Sequence, residues 1–303
     1  MTDAAAHAYR TLDVAVRGGD LRVGVWEPGA EPVATVLAVH GVTASHLAWP
    51  FLVEALPGVR VIAPDLRGRG ASAGLPGPAG MAAHADDLAA ALDAAGVDRA
   101  IVVGHSMGAF VSVVFAHRHP DRVARLILVD GGLPLDVPAE LTPDEVIRHV
   151  LGPTAERLAM RFATVDDYLD FWRAHPAFAN DWTPELERYL AYDLVGEAPE
   201  LRPATSYATL AEDSIDQNTG TALAGALACL PPGTVLLTAE RGLLDQRPAL
   251  YAAERLPTLL SEYPALRHVP VAGVNHYTIV MSQQGADAVA AVVREESFTA
   301  PRP

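Results

Sequence analysis

Residues 101–110 read IVVGHSMGAF, and the fold of the chain turns on how that run is placed. It starts as a Val- and Ile-rich strand, passes through Gly-His-Ser-Met-Gly at 104–108, and continues as the apolar helical stretch GAFVSVVFAHRHP (108–120), which Pro120 ends. A serine on so sharp a strand-to-helix turn takes strained backbone angles. Gly104 and Gly108 flank it because side chains there would strike the neighbouring elements. Ser106 is then held above a sheet edge at the positive end of a helix, where the Met107 amide donates to a developing negative charge. Out of context, Gly-x-Ser-x-Gly recurs by chance; after a strand and before a helix, it marks Ser106 as the candidate nucleophile.

Similar strand-like runs flank this one. They are ATVLAVHG (34–41), VRVIAPD (59–65), RLILVDGG (125–132), GTVLLTAE (233–240) and LRHVPVAG (266–273), with RAIVVGHS (99–106) leading into the turn. Short, continuous Val/Ile/Leu runs suit strands covered on both faces by helices. Helical patterns lie between them: MAAHADDLAAALDAAG (81–96), with Leu88 and Leu92 on one face, and the closing SQQGADAVAAVVRE (282–295), after which the tail is expected to fray. Near the start, TLDVAVRGGDLRVGVWEP (11–28) reads as a hairpin turning at Gly18-Gly19-Asp20. Strands alternating with helices predict an α/β fold with right-handed crossovers and a mostly parallel sheet.

The rhythm breaks between about Leu135 and Gly225, where no strand-like run occurs and prolines split helical patterns. Nine of the nineteen aromatic residues fall there, and Tyr168, Phe171 and Trp172 share one helical face at i, i+3 and i+4. Two readings stand side by side: the rings form the segment's own small core, or they line an apolar substrate pocket. Trp172 and Trp182 are the pocket candidates.

Composition removes several function classes. The 303 residues include 37 acidic and 22 basic ones, a formal net charge of −15 that repels a phosphate backbone, so no nucleic-acid partner is expected. Every basic residue is arginine. Without lysine there is no Schiff base and no phosphate-binding-loop lysine. The single Cys229 makes neither an internal disulfide nor a Cys-x-x-Cys metal site, and its apolar neighbours TALAGALACL suggest a buried small hydrophobe. No apolar run reaches the roughly 18 residues of a membrane span, and the N-terminus lacks the pattern of a secretion signal. A cytoplasmic protein without membrane partner or metal site is the expectation.

A serine hydroxyl needs a base within hydrogen-bond reach. Of eleven histidines, His276 stands apart, in the loop VAGVNHYTI between the last strand and the last helix, at the carboxyl edge of the sheet where sites gather. A second donor to the oxyanion is expected after His40-Gly41: Gly41 permits a tight turn that presents the Val42 amide, and His40 is a structural hydrogen-bonding residue.

HGVTASHLAW (40–49), PDLRGRGAS (64–72), GHSMG (104–108) and GVNHYT (273–278), in this order and spacing, resemble the α/β-hydrolase superfamily over nearly the whole chain. The resemblance implies an α/β-hydrolase core in residues 1–134 and 226–303, built on an eight-stranded, mostly parallel sheet, with 135–225 as an inserted helical cap. It also implies hydrolysis through an acyl-enzyme, no cofactor, and a structural turn at Asp65–Gly70. Serine at the turn separates the chain from haloalkane dehalogenases and epoxide hydrolases, which use aspartate there. Many relatives place the acid that orients the base a few residues beyond the strand at 233–238, where this chain has Gly242 in TAERGLLDQ. Asp130, at the end of RLILVDGG, is favoured over Asp245, with Glu240 third; haloalkane dehalogenases with a displaced acid resemble the Asp130 arrangement. The expected activity is cleavage of a small to medium, mainly apolar carboxylic ester or thioester by Ser106, His276 and Asp130, with Val42 and Met107 amides holding the oxyanion. Lactone or carbon–carbon bond hydrolysis is the enzymatic alternative. A ligand receptor of the same fold is the non-enzymatic one, and it has no need of an intact nucleophile, base and oxyanion positions.

Overall fold

The computed structural model describes residues 7–138, 140–151 and 153–297. The first six residues, where a secretion signal would begin, and the tail from 298 onward lie outside the described residues. β1 (Ala8–Val16) and β2 (Gly19–Glu27) form an antiparallel hairpin in which Val16 faces Gly19. The turn is therefore Arg17-Gly18, one residue earlier than the sequence suggests, and Gly18 supplies the positive φ of 97°.

β3 (Ala34–Val39), β4 (Val59–Pro64), β5 (Ala100–His105) and β6 (Val123–Val129) follow, and after a long helical excursion come the two strands that complete the sheet. Within the excursion the two-residue strands β7 (Leu194–Val195) and β8 (Arg202–Pro203) pair with each other, a small ribbon where the sequence suggests only helices. β9 (Thr234–Arg241) and β10 (Leu266–Asn275) then close an eight-stranded sheet of order β1-β2-β4-β3-β5-β6-β9-β10. All neighbours are parallel except β1/β2 and β2/β4.

Alternation along each central strand feeds two cores. Leu37, Val39 and Val102 pack on one face, while Val36, Ala38, Ile101 and Val103 pack on the other. The helices that cover these faces are α1 (Pro50–Ala55), α2 (Met81–Ala94) and α3 (Met107–Arg118), with more towards the C-terminus. Residues 107–116 of α3 are all buried, because it is wedged between the sheet and α2. A helix without a polar face is what such a place demands.

Between β6 and β9 run α4 (Pro143–Leu151), α5 (Pro153–Glu156), α6 (Val165–Arg173), α7 (Pro184–Tyr192), α8 (Tyr207–Thr219) and α9 (Thr221–Leu227). Thr164, Thr183 and Ser206 cap the starts of α6, α7 and α8 by accepting from backbone amides. α9 packs against α3, so a domain boundary at 225/226 would cut a helix that belongs with the core. α10 (Leu256–Glu262), α11 (Thr278–Met281) and α12 (Gln283–Ser297) finish the chain. Cys229 is exposed rather than buried: α9 ends at Leu227, and the turn leading to Pro231 carries the thiol outward.

Candidate active site

Three strand ends converge at the carboxyl edge of the sheet. Ser106 follows β5 with φ 53° and ψ −124°. That strained conformation is over-determined. Ser106 N–H donates to Val129 O at 3.0 Å, and a β-carbon on Gly104 or Gly108 would collide with Gly108 O or Val39 O respectively. Met107 then opens α3.

Asp130 follows β6, also at positive φ (44°), and its amide donates to Leu237 O at 2.8 Å. Its carboxylate is fully buried, with Oδ1 accepting from Ala239 N–H at 3.1 Å and Oδ2 lying 2.7 Å from His276 Nδ1. A carboxylate only accepts, so Nδ1 carries the proton and Nε2 is left with a lone pair. Nε2 lies 3.0 Å from Ser106 Oγ. The structure thus brings together Ser106, His276 and Asp130.

Asp245 and Glu240 are elsewhere. Asp245 accepts from Arg241 Nε at 2.6 Å and Asn275 Nδ2 at 2.9 Å, one residue away from the base. Glu240 accepts from the Gly273 amide and from Arg247.

Two residues that sequence reasoning passed over hold the His276 loop. Asn275 Oδ1 accepts from Tyr277 N–H at 3.0 Å and Thr278 N–H at 2.9 Å, while its Nδ2 donates to Ala177 O at 2.8 Å and to Asp245. An Asx residue ahead of a short helix in VNHYT is the signal that could have revealed it. His105, buried beside the base, lies with Nε2 2.8 Å from His276 O. Burial first, then the neighbouring His276, lowers its pKa well below the usual imidazole value. Being neutral, it donates its one proton to that carbonyl.

Gly41 lies close against the nucleophile: a β-carbon there would sit 3.2 Å from Ser106 Cβ. Leu66 N–H donates to His40 Nε2 at 2.9 Å, which leaves Nδ1–H to donate to Gly41 O at 2.7 Å. Burial pushes His40 down to about 4, so this neutral tautomer persists. In a planar trans peptide, fixing Gly41 O also fixes the direction of the Val42 N–H. Among the described residues neither the Val42 nor the Met107 amide donates to another group, leaving both free for a ligand.

Two clefts meet at Ser106 and His276, one larger than the other. The larger runs between Phe110, Val146, Ile147 and Leu210, with Ser214 and Gln217 of α8 farther along. The smaller passes Ala48, Tyr189, Tyr277 and Met281. Among the described residues no Asp, Glu or Arg lines either one.

Trp172 and Trp182 do not line these clefts, contrary to the expectation from sequence. Trp172 is buried edge-on against Tyr168, Phe171 and Phe178, with the Arg157 guanidinium 5.0 Å from its ring. It reaches Tyr277 at 6.2 Å between centroids, one layer behind the cleft. Trp182 donates to Glu187 at 2.7 Å and stacks under Arg173. For Trp172 the reason lies in Arg157, a fully buried cation paired with Asp193 that is shielded by the π faces of Tyr168 and Trp172.

No cluster of three or more His, Cys, Asp or Glu among the described residues could hold a metal ion, and no described helix is long and apolar enough to cross a membrane.

A sequence profile described as the alpha/beta hydrolase fold matches residues 34–261. The chain is 40% identical over 117 residues to Lipase LipV of Mycobacterium tuberculosis, covering 39% of this chain and 44% of that protein. It is 34% identical over 147 residues to the bifunctional esterase/perhydrolase DCH of Acinetobacter calcoaceticus, covering 46% and 51%. The chain thus spans about half the length of these curated relatives. The crystal structure of E-2-(acetamidomethylene)succinate hydrolase superposes with a TM-score of 0.72 at 22% identity, over 95% of this chain and 99% of that one, which is a likeness of fold.

Proposed function

The chain belongs to the alpha/beta hydrolase fold family, and from that premise we propose that it is a serine hydrolase of uncharged, mainly apolar carboxylic esters or thioesters. The observation that carries the reading is the hydrogen-bonded line from Asp130 through His276 to Ser106, with 2.7 Å and 3.0 Å between heavy atoms. The relatives named lipase and esterase agree with it.

In this mechanism His276 Nε2 takes the Ser106 proton as Oγ attacks the substrate carbonyl carbon. Asp130 fixes the tautomer and stabilises the imidazolium, and the Val42 and Met107 amides stabilise the oxyanion. Collapse expels the alcohol or thiol, which receives the proton from His276 and leaves an acyl-Ser106 ester. Water, deprotonated by His276, attacks that ester and releases the acid. Two clefts meeting at the nucleophile suit an acyl group on one side and a leaving group on the other. The absence of Asp, Glu and Arg from their described lining disfavours ionic substrates. The segment 135–225, whose α4, α7 and α8 line the clefts, acts as the cap.

The test is labelling with a fluorophosphonate together with turnover of p-nitrophenyl butyrate. Intact mass shows one adduct per chain, Ser106→Ala shows none, and turnover passes a single equivalent. Adduct formation that persists in Ser106→Ala would sink the assignment, and a folded chain without turnover would favour a binding protein.

A further inference from the structure

The turn Asp65–Gly70 looks like scaffold in the sequence, yet one of its side chains reaches both residues whose amides face the proposed oxyanion. Arg69 is fully buried. Its Nε donates to Val42 O at 2.8 Å, and its Nη2 lies 3.6 Å from Met107 Sδ. Nη1 donates to Arg67 O at 2.9 Å and pairs with Asp213 on α8.

Asp213 is itself fully engaged. Oδ1 accepts from the Gly80 amide at 2.7 Å and lies 2.9 Å from His84 Nε2, while Oδ2 faces Arg69. Burial alone would raise its carboxyl, but Arg69 and His84 hold it below the usual carboxylate range, so it stays charged. On the same helix, Asp216 accepts from Met81 N–H at 2.7 Å and Glu212 from Ala79 N–H at 3.0 Å. Three acidic side chains of α8 thus grip the backbone leading into α2. The neighbouring Leu210, Ser214 and Gln217 of α8 form a wall of the larger cleft.

Resting on the serine-hydrolase reading above, we propose that Arg69 is a positioning residue for the oxyanion site, and that its pairing with Asp213 ties the Val42 peptide to the cleft wall on α8. His40 holds the carbonyl before the Val42 amide and Arg69 the carbonyl after it, so the donor is gripped on both flanks. A guanidinium suits the task because its rigid fork serves several acceptors at once, where an ammonium is a single point. The grip matters most when negative charge develops on the carbonyl oxygen, so its loss shows in kcat rather than in substrate affinity.

The experiment compares the parent with Arg69→Met/Asp213→Leu, a double variant that removes both charges and retains apolar volume, the exchange that buried ion pairs tolerate best. With p-nitrophenyl butyrate, kcat falls about 10- to 100-fold, less than the 10²–10³ that follows outright removal of an oxyanion donor. KM stays within about threefold, and inhibition by an alkyl boronic acid weakens by about the same factor as kcat/KM. A folded double variant with kcat within about threefold of the parent overturns the proposal. If the double variant does not fold, Arg69→Lys decides on the same readouts, since lysine has a methylene where Arg69 Nε donates to Val42 O: the same split supports the proposal, and unchanged kcat refutes it. A parent lacking Ser106-dependent turnover instead takes down the site reading, and this inference with it.

Discussion

The carboxyl edge of the sheet and the helical excursion above it put their unusual residues to opposite uses. At the edge, Ser106 and Asp130 both sit at positive φ, and side chains from three strand ends meet within hydrogen-bond reach. In the excursion Tyr168 and Trp172 cover buried Arg157, with Phe178 packed against Trp172, and the cleft walls are left to Ile147, Leu151 and Leu210, with Tyr189 the one excursion ring among their described lining. Strain that persists needs a rigid surround, which a parallel sheet supplies. Rings that obey ordinary packing rules contribute stability. The contrast teaches that the candidate site lies where local backbone rules are broken, and that aromatic density alone does not mark a pocket.

The most severe break in this comparison is Asp130→Asn. The amide keeps the shape but no longer needs the Nδ1 proton, so His276 turns to the wrong tautomer. In the serine-protease example this costs about four orders of magnitude in turnover, and a loss of at least about two orders is expected here. Pre-steady-state and steady-state rates on p-nitrophenyl butyrate measure it, with circular dichroism as the check on folding. A folded variant that keeps a tenth of its turnover removes Asp130 from the role.

Trp172→Ala tests the other region. It opens a void among Tyr168, Phe171 and Phe178 and strips a π face from Arg157, at a cost of about 3–5 kcal/mol in urea unfolding. Relative rates on acetate, butyrate and octanoate esters stay as they were. A shifted chain-length preference at unchanged stability would restore the ring to the pocket.

A smaller effect at the edge comes from His40, whose pKa burial lowers to about 4. A histidine whose folded pKa is depressed stabilises the protein fully above its unfolded value near 6.5, and that stability is lost as pH falls towards 4. By pH 5 the loss is on the order of 2 kcal/mol. Urea unfolding at pH 7.5 and pH 5 should show a steeper decline for the parent than for His40→Gln. Equal declines would mean that the clamp on Gly41 O does not depend on a neutral imidazole.

What the sequence makes legible follows the same divide. Buried strands announce themselves as Val/Ile/Leu runs, and all eight strands of the sheet lie where such runs or the hairpin pattern place them. The strand-end positions of Ser106, Asp130 and His276 follow from that spacing, because a strand's end is local information. Trp172 is misread because its burial depends on Arg157, an arginine whose partner Asp193 lies 36 residues away, and Trp182 because its ring is held by Arg173 and Glu187 instead. Arg69 stays hidden for the same reason: its partner Asp213 is 144 residues distant, and nothing in RGRG distinguishes a bridging arginine from a surface one. Cys229 is misplaced by a helix end, the feature that apolar periodicity locates least well.

The mildest test compares the two strand ends that compete for the acid. Asp245 resembles Asp130 in backbone, with φ at 60°, but it lies in the loop after β9 with about a third of its side chain exposed. Its Oδ1 serves Arg241 and Asn275. Asparagine keeps an acceptor oxygen at that position and tolerates the left-handed region as well as aspartate does. What Asp245→Asn removes is the charge facing Arg241, and a partly exposed pair of this kind is worth about 0–1 kcal/mol. The Asn275 side chain keeps its bonds to Ala177, Tyr277 and Thr278, so the His276 loop stays in place. Turnover by Asp245→Asn is therefore expected to fall by less than about tenfold, against the two or more orders expected for Asp130→Asn. A reversed ranking in folded proteins would mean that the β9 loop swings over the sheet edge during catalysis and that Asp245, not Asp130, carries the imidazolium.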